Sequence, residues 1–157
     1  MKKSQDDAKS LQERALRLLA RREYSYAELM QRLSRFASKD VVEEVLDHLS
    51  EAGYQSDQRF AEVWIRNRLQ QYQGEQRIRY ELRQKGIARE RVDQEILAAN
   101  PNWPELAAAL YRRKYGEMLA PSREEQAKRM RSLLNAGFSY DQVREALKHL
   151  DSEAEFD

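Results

Sequence analysis

Apolar residues recur at helical spacing in nine stretches of the chain, and short polar connections separate these stretches. Ile78 and Leu82 form one such stripe, and Val143, Leu147 and Leu150 form another. Each stripe places the apolar side chains on one face of a helix. No segment alternates apolar and polar residues with the period of a strand. The spacing predicts helices near residues 10–22, 26–36, 39–52, 57–72, 75–85, 89–99, 103–118, 122–136 and 140–151.

Residue types that begin and end helices stand at the borders of these stretches. A hydroxyl residue followed three positions later by Glu or Gln has the spacing of a capping box, in which the two side chains satisfy unpaired backbone N–H groups. This spacing occurs at Ser10–Glu13, Ser25–Glu28, Ser122–Glu125 and Ser139–Gln142. Glycine at the end of an apolar run predicts a helix stop. Such stops are predicted at Gly53, Gly86, Gly116 and Gly137.

The chain also repeats itself at intervals of about fifty residues. Residues 42–49 match residues 143–150 at five of eight positions, and Val92 lies near the midpoint between the two segments. These matches predict an all-α protein of three tandem three-helix, helix-turn-helix-like repeats. Because each repeat could bury little alone, we expect an elongated, curved array. The predicted organisation is a flexible segment 1–9, repeats at 10–55, 56–100 and 101–151, and an acidic tail 152–157.

Composition excludes several classes of protein. The 157 residues include no cysteine, which rules out disulfides, thiolate catalysis and cysteine-based zinc sites. The chain has no apolar run of about 18 residues that could span a membrane. The N-terminal lysines are not followed by the apolar segment of a secretion signal. We therefore expect a cytoplasmic protein that makes no membrane contact.

Catalytic patterns are missing from the sequence. There is no Gly-rich phosphate loop, nucleophile elbow or His-Glu-x-x-His pair. The two histidines, His48 and His149, occupy equivalent repeat positions. This recurrence favours a packing or helix-end role near the negative end of the helix dipole. The expectation is a protein that is not an enzyme and that uses no cofactor or metal.

The middle of the chain is basic although the total formal charge is only +1. Residues 59–91 carry nine positive and four negative side chains. Arginine with an interleaved aromatic can hold phosphate or carboxylate while the ring stacks. Ion pairs within one helix, such as Arg77–Glu81–Lys85 and Glu62–Arg66, are the alternative explanation for these charges. The candidate partner-binding or nucleic-acid-binding residues are Arg66, Arg68, Tyr72, Arg77, Arg79, Tyr80, Arg83 and Lys85.

Several motifs in the same region resemble the RecX regulatory family. The most specific is the Arg-Ile-x-x-Glu-Leu-x-x-Lys-Gly-Ile segment at residues 77–87, preceded by Gly53-Tyr-Gln-Ser-Asp57 and Arg66-Asn-Arg68. Arg113-Lys-Tyr-Gly-Glu117 in the third repeat is similar too. The likeness covers residues 11–150. The family's basic-Gly-Tyr-Gly loop pattern is replaced here by Gln70-Gln-Tyr-Gln-Gly74, which shifts the expected contact toward the helix arginines.

The resemblance implies a function and a partner. RecX proteins are bacterial cytosolic modulators of the RecA recombinase, built of three three-helix repeats. They bind the filament that RecA forms on single-stranded DNA, and they inhibit its ATPase, strand exchange and co-protease activity, which tunes recombinational repair and the SOS response. The expected partners are therefore the RecA filament and the single-stranded DNA within it, bound by a monomer of this chain.

Two other functions are compatible with the residues alone. Three-helix units with a basic second helix also occur in helix-turn-helix regulators of duplex DNA. A pure protein adaptor would show no dependence on nucleic acid. The salt dependence of binding separates these alternatives, because each phosphate contact steepens it.

Overall fold

The computed structural model describes the backbone of residues 2–156 and the side chains of residues 7–151. The described backbone contains nine α-helices and no strand. The helices are α1 Lys2–Arg21, α2 Tyr26–Leu33, α3 Lys39–Glu51, α4 Asp57–Gln70, α5 Glu75–Gln84, α6 Arg89–Ala99, α7 Trp103–Tyr115, α8 Arg123–Asn135 and α9 Tyr140–Phe156. The predicted all-α class is confirmed.

The two outermost helices extend further than the sequence pattern predicts. Helix α1 begins at Lys2 instead of near residue 10, so the start predicted from Ser10 and Glu13 is wrong. The preceding residues contain neither glycine nor proline to stop a helix, and their charged side chains are compatible with one. Helix α9 continues to Phe156, through most of the segment predicted as a separate acidic tail. Met1 and Asp157 lie outside the described residues.

Three of the predicted caps form. Ser25 and Glu28 make a complete capping box at the start of α2. At α9, Ser139 Oγ accepts from the Gln142 N–H at 3.1 Å, and the Gln142 side chain accepts from the Ser139 N–H at 2.9 Å. At α8 the Ser122 hydroxyl accepts from the backbone N–H of the third helical residue. Each bond satisfies a backbone donor that the helix itself leaves unpaired.

Equivalent positions of the three repeats carry equivalent structural roles. Val42, Val92 and Val143 are all buried. The predicted glycine stops at Gly53, Gly86, Gly116 and Gly137 all have positive φ. After α5 the Ile87 N–H donates to the Leu82 carbonyl at 3.0 Å, which is the helix-closing bond of the Schellman motif. The sequence repeat is therefore a repeat of three-helix structure.

The described chain divides into two compact units that do not coincide with the three repeats. Unit 1 contains the chain up to Trp64 together with Leu82–Glu95, and unit 2 contains Ile65–Glu81 and the chain from Ile96 onward. The division runs through α4, α5 and α6, so the second repeat contributes residues to both units.

The core of unit 1 is built on the first repeat. Helices α1, α2 and α3 pack against one another through a cluster of aliphatic residues. The fully buried members at its centre are Ala15, Leu29, Leu33, Val42, Leu46 and Leu49. Removing this apolar surface from water is the main stabilisation of the repeat.

The core of unit 2 is built on the third repeat. Helices α7, α8 and α9 surround Leu133, Phe138, Val143 and Ala146. Trp103 and Tyr72 lie at the edge of this cluster and pack against it half-buried. No helix in the described part of the chain is long and apolar enough to cross a membrane.

The two histidines do not pack in these cores. His48 and His149 are both exposed, so the packing role predicted from their repeat position is wrong. His48 lies in the last turn of α3, near the negative end of the helix dipole. The side chain that packs in the core at this point of α3 is that of Leu49, the residue after His48.

Candidate nucleic-acid and partner interface

The eight residues predicted to contact a partner belong to both units. Six of them lie in unit 2, and the other two, Arg83 and Lys85, lie in unit 1. The six in unit 2 are Arg66, Arg68, Tyr72, Arg77, Arg79 and Tyr80. The structure divides the six basic residues among them into those that pair with carboxylates of the protein and those that remain exposed.

Two arginines of unit 2 are paired internally. Arg68 Nη2 lies 2.8 Å from Glu81 Oε2, and Arg79 Nε lies 2.9 Å from Glu75 Oε2. Both pairs are about two-thirds or more shielded from water. Glu81 therefore bridges to the preceding helix, and the predicted pairing with Arg77 on its own helix is not the one formed. We infer a mainly structural role for Arg68 and Arg79.

Lys85 contacts residues of α2 and α4 within unit 1. Its ammonium lies 3.2 Å from Glu28 Oε2, instead of pairing with Glu81 as the helix spacing predicts. Its carbonyl accepts a 2.7 Å hydrogen bond from the Ser25 hydroxyl, and its ammonium lies 5.6 Å from the centre of the Trp64 ring. These contacts join the end of the α5 region to the start of α2.

Glu28 is the centre of this charged cluster. Burial by itself would raise the pKa of the carboxyl, but hydrogen bonds from Arg22, from the Ser25 backbone N–H and from Lys85 outweigh that effect. The pKa of Glu28 therefore lies below its ordinary value of 4.5. The carboxylate is charged at neutral pH and satisfies two cations.

Three predicted arginines are exposed instead. Arg66, Arg77 and Arg83 have no ion-pair partner within the described part of the chain. The predicted pairing of Arg66 with Glu62 is not formed. Tyr80 on α5 is 65% exposed. These side chains are available to an external acidic or phosphate group.

Tyr72 occupies a turn with unusual backbone geometry. Its φ is +58°, in the left-handed region that few residues other than glycine adopt. The ring is half-buried against the core of unit 2, and the Arg113 guanidinium lies 5.3 Å from its centre. The described contacts of Tyr72 are thus with its own unit, and they fix the path of the chain into α5.

The start of α5 is fastened to the turn between α8 and α9. The Gly74 N–H donates to the Ala136 carbonyl at 2.8 Å, and the Gln76 N–H donates to the Gly137 carbonyl at 2.9 Å. A side chain on Gly74 would collide with the backbone of Gly137, and one on Gly137 would collide with Arg77. The two glycines therefore allow a close approach that sets the position of Arg77.

Arg77 lines a pocket of about 620 Å³ that lies entirely within unit 2. Lining residues come from the turn before α5, from α5, α7 and α8, and from the first residue after α8. Among the described residues none of them is a carboxylate. We call this the unit 2 pocket. Its lining consists of Gln73, Arg77, Leu110, Lys114, Tyr115, Lys128, Arg131, Ser132, Asn135 and Ala136.

Three cations of the pocket are absent from the sequence prediction. Lys128 and Arg131 are three residues apart on α8 and exposed, and Lys114 lies in the last turn of α7. The Lys114 ammonium donates a 2.6 Å hydrogen bond to Ser132 Oγ, which places it at the pocket wall. The sequence contained a partial signal, the basic run at residues 112–114, but the convergence with α8 is tertiary.

Not every cation of α8 faces this pocket. Arg129 is buried and donates hydrogen bonds to the Tyr111 hydroxyl at 2.9 Å and to the Met118 carbonyl at 3.0 Å. The bond to Tyr111 raises the pKa of the guanidinium above its ordinary value, and the pair with Glu125 acts in the same direction. Arg129 thus anchors the loop after α7.

The described residues contain no group of three or more His, Asp or Glu side chains arranged to hold a metal ion. The chemistry that the site offers is the binding of anions by exposed guanidinium and ammonium groups.

Comparison with known proteins gives one family for three segments between residues 13 and 147. The models for the first, second and third three-helix domains of RecX match residues 13–49, 56–95 and 104–147, respectively. The regulatory protein RecX of Chromohalobacter salexigens is 41% identical over 138 residues, which cover 86% of this chain and 89% of that protein. The regulatory protein RecX of Halorhodospira halophila is 38% identical over 94% of this chain and 92% of its own length.

The fold agrees with this assignment. The crystal structure of RecX from Lactobacillus salivarius superposes with a TM-score of 0.80, covers 93% of this chain and 97% of its own, and is 23% identical in sequence. That likeness shows the fold, and the family models and the closer sequences show the relationship. This chain, with its three matched three-helix domains, belongs to the RecX family of regulatory proteins.

Proposed function

We propose that this protein binds the filament that the RecA recombinase forms on single-stranded DNA and inhibits its ATPase, strand exchange and co-protease activities. It acts in the cytoplasm as a monomer and catalyses no reaction itself. The observation that carries the proposal is the match of all three RecX three-helix domains. Relatives at 41% and 38% identity are named regulatory proteins.

The distribution of paired and exposed cations supports binding to an acidic partner. A near-neutral chain has little long-range attraction for bare DNA. Exposed cations such as Arg66, Arg77 and Arg83 can still make local contacts with phosphate or with acidic protein surface. Tyr80 offers an exposed ring that can stack on a base or an arginine.

The mechanism is differential binding. A regulator that binds one state of the recombinase filament more tightly than another shifts the filament toward the favoured state. Inhibition follows if the favoured state hydrolyses ATP slowly or cannot grow. No covalent step on this chain is needed.

The DNA-dependent ATPase activity of the cognate recombinase tests this function directly. Adding the purified chain should lower ATP hydrolysis in a concentration-dependent way. Inhibition at amounts far below one per recombinase protomer indicates blocking of filament ends, and inhibition that needs near-equal amounts indicates binding along the filament. An unchanged ATPase rate at equal amounts would refute the proposed function.

Matched arginine variants test the exposed residues. The double variant Arg66→Ala/Arg83→Ala should raise the inhibitory concentration by about tenfold, because both charges face solvent without an internal partner. Arg17→Ala/Arg35→Ala removes two exposed charges from the first repeat and is the control. Equal loss in both variants would show that only net charge matters, and circular dichroism checks that both remain folded.

A further inference from the structure

The unit 2 pocket is a concave surface with an unbalanced charge. Four of its ten lining residues are cations, and the described lining contains no acidic side chain. This differs from the chain as a whole, in which 28 basic residues are nearly matched by 27 acidic ones. The cations are Arg77, Lys114, Lys128 and Arg131.

We propose that the unit 2 pocket binds the phosphate groups of a single nucleic-acid strand. The ligand class is a phosphodiester backbone, contacted by guanidinium and ammonium groups from α5, α7 and α8. The inference deepens the proposed function, on which it rests, because it identifies the surface that would touch the DNA within the filament.

The side chains of the lining fit phosphate chemistry. Arg77 and Arg131 each present a planar set of N–H donors that matches phosphate oxygens, while Lys114 and Lys128 act as point charges. Ser132 and Asn135 add neutral hydrogen-bonding groups at the same wall. No cofactor or metal is required.

The position of each cation is set by the fold. Arg77 packs its Cβ against Gly137, so its location depends on the close approach of α5 to the α8–α9 turn. Lys114 is oriented by its bond to Ser132. Lys128 and Arg131 lie three apart on α8 and so project from neighbouring positions of one face. Because contacts within unit 2 already hold Arg77 and Lys114, ordering these two side chains on binding costs less entropy.

The size of the pocket favours a strand over a single phosphate ion. A volume of about 620 Å³ is within the range of sites for drug-sized ligands, and it is larger than one phosphate needs. Four cations around an open pocket can contact more than one phosphate of a strand. Free pyrophosphate or ATP shares the phosphate chemistry, and the experiment distinguishes them.

Fluorescence anisotropy of a labelled oligothymidine tests the proposal with the full-length protein and without recombinase. The wild type should bind, and the slope of log affinity against log salt should be about −0.7 for each contacted phosphate. The variant Lys128→Ala/Arg131→Ala should weaken binding by about tenfold and make the slope shallower by about 0.7 per lost contact. Both side chains are exposed, so the variant should fold normally.

The control removes the same charge from elsewhere in unit 2. Arg144 and Lys148 are exposed on α9 and do not line the pocket. The variant Arg144→Ala/Lys148→Ala should bind the oligonucleotide as the wild type does. Equal losses in both variants, or no binding by the wild type, would overturn the proposed pocket.

Competitors identify the ligand. An unlabelled oligonucleotide should displace the probe, and an oligonucleotide with an uncharged methylphosphonate backbone should not. Stronger displacement by pyrophosphate or ATP at equal phosphate concentration would show that the pocket binds a small phosphate ligand, and it would overturn the proposed binding of a nucleic-acid strand. Displacement by polyglutamate as effective as by DNA would overturn the nucleic-acid ligand in favour of acidic protein.

The proposed function and the pocket fail in different assays. If the pocket variant loses oligonucleotide binding but still inhibits the recombinase ATPase fully, the pocket is supported and its role in inhibition is refuted. If the wild type binds the oligonucleotide but does not inhibit the ATPase, the pocket stands and the proposed function fails.

Discussion

One cluster of basic side chains in unit 1 and one in unit 2 have opposite surroundings. In unit 1, Arg22 and Lys85 converge on the partly buried carboxylate of Glu28, so the protein itself supplies the opposite charge. In unit 2, Arg77 and Arg131 converge on a pocket with no carboxylate in its described lining. The same residue types are therefore paired with a carboxylate in the one cluster and line a pocket without acidic side chains in the other.

This difference shows why a basic sequence segment does not by itself identify a binding site. Arg68 and Arg79 are in the middle of the basic region, yet both are paired with carboxylates. Lys128 lies outside that region but faces the pocket. The free charge of a surface depends on which carboxylates the fold brings near it.

The largest expected effect is at the glycine that fastens the pocket. Gly137 has φ +105°, and a Cβ there would collide with Arg77. Gly137→Ala should lower the free energy of unfolding by about 3 kcal/mol, the sum of left-handed strain and overpacking. Urea unfolding followed by circular dichroism measures this change.

A second glycine in unit 2 provides the control for this substitution. Gly116 also has a positive φ, but a Cβ there would have nothing within 4 Å. Gly116→Ala should cost only the strain of a backbone conformation that side chains disfavour, about 2 kcal/mol. Equal losses at the two positions would contradict the close packing at Gly137.

The next effect concerns the serine that joins the two segments of unit 1. Ser25 is buried, and its hydroxyl accepts from the Glu28 N–H and donates to the Lys85 carbonyl. Ser25→Ala should cost about 2 kcal/mol of stability, because a cap and a second bond are both lost. Ser122→Ala, at an exposed cap in unit 2, should cost about half as much in the same urea assay. A smaller loss at Ser25 than at Ser122 would contradict the double role.

Equivalent truncations of paired and exposed cations sharpen the contrast between the units. Lys85→Met keeps the apolar stem but removes the bond to Glu28, and it should cost about 1 kcal/mol of stability without changing oligonucleotide binding. Arg77→Met should change stability by less than about 0.5 kcal/mol and should weaken oligonucleotide binding. Thermal unfolding and anisotropy together measure both effects, and the reverse pattern would remove the distinction.

The smallest effect is the pH dependence contributed by Glu28. Because its pKa in the folded protein lies below the ordinary value of 4.5, the charged carboxylate stabilises the fold above that pH. The stabilisation is lost as the pH falls through the lowered pKa. The melting-temperature difference between wild type and Glu28→Gln should thus be constant from neutral pH to about pH 5 and shrink below it. A melting-temperature difference that stays constant into the acid range would show that the charge of the Glu28 carboxylate contributes nothing to stability.

Much of the fold could be predicted because its signals are local. Capping residues such as Ser25 and Ser139, and stops such as Gly86, act on the backbone next to them. The start of α1 could not be read this way, since Ser10 has capping spacing but lies inside a helix that continues on both sides. A cap pattern states where a helix could begin, and the flanking residues decide whether it does.

The candidate site was only partly predictable. Arg77 is the one residue of the predicted set that lines the unit 2 pocket among the described residues. Its neighbours Lys114 and Arg131 are far from it in sequence, so no spacing rule links them. Lys85 is part of the family motif, but its ammonium pairs with Glu28. The two residues are far apart in sequence, so the sequence pattern could not predict this contact.

Helical periodicity and caps could be predicted from the sequence because they depend on residues a few positions apart. The internal repeat could be recognised because it is a direct comparison of sequence segments. The pairing of Lys85 with Glu28 and the convergence of Arg77, Lys114 and Arg131 required packing of distant helices. Two charges interact through space, and the interaction is strong only when they are close together and water and salt are largely excluded. Which cations of this RecX-family protein pair with its own carboxylates and which stay exposed is therefore a property of the folded chain.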